Sequence, residues 1–136
     1  LRDKESLCYT VMAFGGERRV AGTFNAYIAT SPDKEEAARA GLLRELARFA
    51  SEPVSALELQ RAKTYAIGSH AIRQQSGGAV LGEIVDASML GDLTDIDQYE
   101  SRVGAVTATS ILETARRYID PERRVEAIVR GVGKTV

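Results

Sequence analysis

The hydrophobic period of this chain changes near residue 30, and that change limits what it can fold into. Before it, apolar residues alternate; after it, they recur every three or four positions. Alternation places one face of a strand toward a core, and the longer period gives an amphipathic helix. Leu7 to Phe14 sets Leu7, Tyr9, Val11 and Ala13 on one face and Cys8, Thr10, Met12 and Phe14 on the other. Val20 to Ala29 repeats the pattern, with Phe24, Ala26 and Ile28 opposite Thr23, Asn25 and Tyr27. Gly15-Gly16 with the charged run Glu17, Arg18, Arg19 reads as the loop of an antiparallel hairpin.

Helix punctuation then dominates. Ser31 suits an N-cap and Pro32 the first helical position, with Asp33, Glu35 and Glu36 opposing the positive end of the dipole. Leu42, Leu43, Leu46, Phe49 and Ala50 form the expected buried stripe, and Pro53 ends it. Ser55 and Glu58 form a capping box for a second helix carrying Leu59, Ala62, Ala66 and Arg73, flanked by Tyr65 and Ile72. Gly77-Gly78 breaks it, and a third helix is predicted over Ala79 to Leu90, with Leu81, Ile84, Val85 and Ser88 inward and Gly91 as its stop. A fourth runs over Thr94 to Val103 with Ile96, Tyr99 and Val103 inward, ended by Gly104. Thr107 caps a fifth, with Ile111, Leu112, Ala115, Tyr118 and Ile119 inward, ended by Asp120-Pro121. Val125 to Val129 alternates again and reads as a last strand. The expected fold class is α+β, a mainly antiparallel sheet with helices packed on one face. Three strands are few for so many helices, so the sheet is expected to continue in a segment upstream of Leu1.

Composition narrows the chemistry. A net charge of −1 over 136 residues offers no electrostatic case for nucleic acid. No apolar run approaches the roughly 18 residues that span a bilayer, so a soluble protein is expected, periplasmic or cytoplasmic. One cysteine, Cys8, excludes an internal disulfide, and Cys8 with the single His70 cannot complete a four-ligand zinc site. His70 is expected to be packed or solvent-facing. The tail Gly133-Lys134-Thr135 is not a phosphate loop, because the Gly that motif needs falls on Ile128. Asp92, Asp95 and Asp97 lack an EF-hand's Gly and distal Glu and suit a helix start. The pairs Arg18, Arg19 and Arg123, Arg124 read as solubilising surface.

Three stretches together carry a family resemblance. "LRDKESLCYTV" resembles the L-R-x-K-x-G-L-x-Y-S-V motif in C-terminal domains of insulinase/pitrilysin-type zinc metallopeptidases. "VSALELQRAK" is similar to that family's Val-Thr-x-x-Glu-Leu-x-x-Ala-Lys helix start. "AVTATSILETARRYIDPERRVEAIVRG" resembles its closing segment, a Val-Thr cap, an Ala-x-x-Tyr-x-x-Pro helix end and a strand finishing in Gly. Order and spacing match over nearly the whole chain.

The resemblance implies a curved sheet with helices on one side, and residues 1–136 as the C-terminal part of one metallopeptidase-like domain whose start is missing. It implies that zinc is bound not here but by a homologous partner domain with an H-x-x-E-H motif, in the same chain or a separate subunit. No catalytic or metal-binding residue is then expected in this chain. Arg2 and Tyr9 match the Arg and Tyr that face the closed chamber and hold the substrate peptide. Ser6 and Cys8 depart from the pattern, standing where Gly and where Gly or Ala are frequent. Some members have lost peptidase activity and act as structural or peptide-presenting subunits, and that alternative stays open beside the proteolytic one. An unrelated α+β binding module is the third reading.

Overall fold

The computed structural model describes residues 1, 5–17, 19–90, 93–120 and 122–131. Strands β1 (Thr10–Glu17) and β2 (Gly22–Ala29) form an antiparallel pair. A single 3-10 turn, Pro32–Lys34, leads into α1 (Glu35–Ser51). Helices α2 (Ala56–Arg73), α3 (Gly77–Leu90), α4 (Thr94–Ala105) and α5 (Ala108–Tyr118) follow. The α+β class expected from the two hydrophobic periods is therefore what forms.

The hairpin is longer than its glycines suggest. Gly15 and Gly16 lie inside β1, opposite Phe24 and Thr23, and the chain turns only after Glu17. A β-carbon on Gly16 would stand 2.8 Å from Thr23 Oγ1, so close cross-strand approach, not a turn, is what the missing side chain permits here. The predicted strand over Val125 to Val129 does not enter the sheet, which among the described residues has two strands. Residues 124–130 instead lie against α1 through ion pairs. Arg39 Nε donates to Glu126 Oε2 at 2.7 Å, and Arg130 Nε to Glu35 Oε2 at 2.8 Å. Alternation specifies a strand only where a neighbouring strand supplies the ladder. None does among the described residues, and Val125 and Val129 are each 96% exposed.

Helix α1 lies along β2 and packs on α5, while α2 and α3 both pack on α4. Among the described residues the fully buried hydrophobic ones are small, Ala38 on α1 and Ala115 on α5. Leu42, Leu43, Leu46 and Ala50 of the expected α1 stripe are half-buried, and Phe49 reaches solvent. Arg116 of α5 donates to the carbonyls of Ala50 and Ser51, at 3.3 Å each, which satisfies acceptors left open at the α1 terminus.

Of the three predicted caps, Ser31 precedes the 3-10 turn without a side-chain cap hydrogen bond, while Ser55 and Thr107 form complete boxes. Ser55 accepts from the Glu58 N–H while Glu58 accepts from the Ser55 N–H, and Thr107 and Ser110 do the same for α5. The Gly77-Gly78 pair starts α3; the break falls at Gln74–Ser76, because a first turn tolerates glycine where its N–H groups have no helical partner. Gly104 lies inside α4 rather than after it. The expected stops Gly91 and Pro121 lie outside the described residues.

The inward faces differ from expectation in α3 and at Tyr118. Leu81, Ile84, Val85 and Ser88 are exposed; Ala79, Val80, Glu83 and Ala87 are the half-buried set. Helix α3 is apolar on nearly every side, so periodicity cannot choose a face. On α5, Ile111, Leu112 and Ile119 are half-buried as expected, but Tyr118 is exposed.

The ion pairs at 124–130 predict acid release. Arg130 holds the Glu35 carboxyl, and Arg39 the Glu126 carboxyl, below the ordinary value of 4.5. A carboxyl depressed by folding contributes attachment that is complete above its unfolded pKa and is lost as pH falls through the folded one. Ala127 and Ile128 amide shifts are expected to move toward random-coil values as pH falls below the ordinary carboxyl value of 4.5. Glu126→Gln should produce the same movement at neutral pH. Unchanged shifts in both cases would mean that apolar contact, not charge, seats the segment.

Candidate functional site

Tyr9 is the described member of the predicted pair; Arg2 lies outside the described residues. Tyr9 sits one residue before β1, and its N–H donates to Ala29 O at 2.9 Å, so it prolongs the ladder. Its side chain is 74% exposed, which frees the phenol for a partner. The neighbouring Cys8 is half-buried, as a small residue can be.

The strap before Tyr9 is tied down residue by residue. Arg44 Nη2 donates to both Glu5 carboxylate oxygens at 2.9 Å. Lys34 Nζ donates to Ser6 O at 3.0 Å, and Thr30 Oγ1 to Leu7 O at 2.6 Å. The Leu7 N–H donates to Leu1 O at 3.2 Å. Beneath the strap is Gly41 of α1, where an added β-carbon would stand 2.8 Å from Leu1 Cδ2 and 3.3 Å from Leu7 Cδ1. Ser6 has φ +49°, the left-handed region. That conformation costs an L-residue about 1–2 kcal/mol, which gives a physical reason for Gly at this position in similar proteins.

A second polar cluster escaped the sequence reading. The half-buried residues of α2 are Leu59, Lys63, Ala66, Ile67, Ser69 and His70, followed by Gln74 at its C-cap, so four of these seven are polar. Lys63 Nζ donates to Gly104 O at 2.6 Å, at the C-terminal end of α4. His70 stacks on Tyr99 with ring centroids 3.9 Å apart, and its Nε2 lies 2.9 Å from Glu83 Oε1. The hydrogen bond from His70 keeps the Glu83 carboxyl below its usual range. Gln74 also donates to Glu83. His70 is thus packed, and it joins α2, α3 and α4. Helical spacing from Leu59 through Lys63 to His70 and Gln74 was the available signal, masked by polarity.

Among the described residues, no group of three or more His, Cys, Asp or Glu could hold a metal ion. Among them, also, no helix is long and apolar enough to cross a membrane.

Residues 1–65 match a sequence profile described as the peptidase M16 inactive domain. No curated protein matches in sequence. A protease from Helicobacter pylori superposes with a TM-score of 0.76 at 18% identity, over 88% of this chain and 29% of that one. The inactive peptidase domain of a candidate zinc protease from Bordetella parapertussis superposes with a TM-score of 0.70 at 17% identity, over 96% of this chain and 72% of that one. By sequence, residues 1–65 are similar to the peptidase M16 inactive domain. By fold, nearly the whole chain is similar to the inactive peptidase domain of the Bordetella parapertussis protein. The resemblance read from the two motifs within residues 1–65 therefore holds. The chain spans less than a third of the Helicobacter pylori protease.

The strained turn yields a stability prediction. Ser6→Gly is expected to raise stability by about 0.5–1 kcal/mol, since relief of the left-handed cost outweighs the added freedom of the unfolded chain. Urea unfolding measures it, and a loss of stability would show that the turn is not strained.

Proposed function

We propose that this chain is the zinc-free part of an insulinase/pitrilysin-type metallopeptidase. It forms a wall of the substrate chamber and holds the peptide through Arg2 and Tyr9, opposite a zinc-bearing homologous domain. The carrying observation is Tyr9, exposed at the mouth of β1 on a strap that is otherwise held down. The likeness to an inactive peptidase domain supports the division of labour.

Each residue has a physical role in this reading. The Arg2 guanidinium directs charge-assisted hydrogen bonds at a substrate carbonyl or carboxylate. The Tyr9 phenol donates to a substrate oxygen, most strongly where negative charge grows in the transition state. Zinc, held by the partner domain, supplies water activation and carbonyl polarisation. The walls contributed by this chain keep the peptide in register with that chemistry.

The chain alone is expected to cleave nothing. In the assembly with its zinc-bearing partner, Tyr9→Phe and Arg2→Met should each lower kcat/KM for peptide hydrolysis by about tenfold or more while the fold survives. If both variants cleave at the wild-type rate, the clamp role is wrong. An assembly that binds peptide without hydrolysing it would establish the peptide-presenting alternative instead.

A further inference from the structure

Three consecutive strap residues are each held by a different side chain from the far side of the hairpin. Glu5 is held by Arg44, 39 positions away, Ser6 by Lys34 at 28, and Leu7 by Thr30 at 23. The middle one, Ser6, is the non-glycine residue with positive φ among the described residues. Strained backbone persists only where its surroundings over-determine it, and it concentrates where a protein needs a fixed geometry.

Fold stability does not explain this convergence. The Arg44–Glu5 pair is solvent-exposed, with side chains 56% and 39% accessible, and exposed pairs stabilise little. What the three contacts do determine is the direction in which the chain enters β1. A slip of one residue there would carry Tyr9 to the opposite face of the sheet.

We infer that Lys34 and Arg44 are positioning residues, which fix the strap so that the Tyr9 phenol is presented at a constant place to the substrate peptide. The inference rests on the clamp reading above and extends it to residues that touch no substrate. Lys34 acts through the Ser6 carbonyl and Arg44 through the Glu5 carboxylate. Misplacement of a substrate-positioning group by about 1 Å can cost on the order of a hundredfold in rate.

The test uses the assembled protein and a mixture of quenched-fluorescent peptides. The double variant Lys34→Met/Arg44→Met is expected to raise KM about tenfold, with a smaller change in kcat and a nearly unchanged melting temperature. The exchanged pair Glu5→Arg/Arg44→Glu should recover KM to within about twofold, because a positioning pair works in either orientation and a substrate contact does not. Hydrogen exchange of residues 5–9 gives a readout independent of cleavage. It should speed up about tenfold in the double methionine variant, with exchange in α1 to α5 unchanged. Unchanged exchange across 5–9 overturns the inference whatever the activity. Faster exchange with unchanged KM, in an assembly that Tyr9→Phe impairs, also overturns it and leaves the clamp standing. Wild-type cleavage by Tyr9→Phe removes Tyr9 from the clamp, and the positioning role falls with it; the clamp as a whole falls only if Arg2→Met also cleaves at the wild-type rate.

Discussion

The close approach of the N-terminal strap to Gly41 is the contact on which the rest of the molecule is arranged. A side chain at Gly41 would meet Leu1 and Leu7, so only a bare α-carbon lets the strap lie flat on α1. Lys34, Ala38, Gly41 and Arg44 follow helical spacing along one stripe. Along that stripe the described strap residues meet Lys34, Gly41 and Arg44. A neighbouring stripe, Glu35 and Arg39, holds residues 124–130. The carbonyl end of the same helix is capped by Arg116 of α5. One helix thus ties down both the segment before the hairpin and the segment after the last helix.

That arrangement suits a wall better than an active centre. Among the described residues the fully buried hydrophobic ones are two alanines, and much of the large apolar surface of the hairpin and α3 meets solvent. Polar ties across helices, Lys63 to Gly104 and His70 to Glu83, do part of the joining that apolar packing does in a thicker core. The one functional candidate among the described residues, Tyr9, stands where a rigid scaffold ends and solvent begins. In the proposed reading, that phenol orients the peptide and the zinc-bearing partner cleaves it.

Legibility followed the range of the forces involved. The caps at Ser55 and Thr107 were readable because their partners lie three residues away, within one turn. The strands were readable in type, but their ends were not. Gly15 and Gly16 look like a turn until Thr23 is known to stand opposite Gly16. The segment 125–129 has a strand's alternation, yet a ladder depends on a second chain segment that no local pattern reports. The packed face of α2 was not legible because Lys63, His70 and Gln74 are polar, and what makes them inward is Gly104, Tyr99 and Glu83 on other helices. The motif around Ser6 marked a position where glycine is usual, and the positive φ supplied the reason. The tethers Arg44 and Lys34 left no local trace, since each spans more than twenty residues.

The central claim is that Tyr9 faces a bound peptide when the zinc-bearing partner is in place. The most direct measurement puts a benzophenone photocrosslinking residue at position 9 of the assembled protein and irradiates it with peptide bound. The account predicts a covalent adduct between position 9 and the peptide, suppressed by excess unlabelled peptide. Crosslinks only to the partner domain, or within this chain, would contradict it.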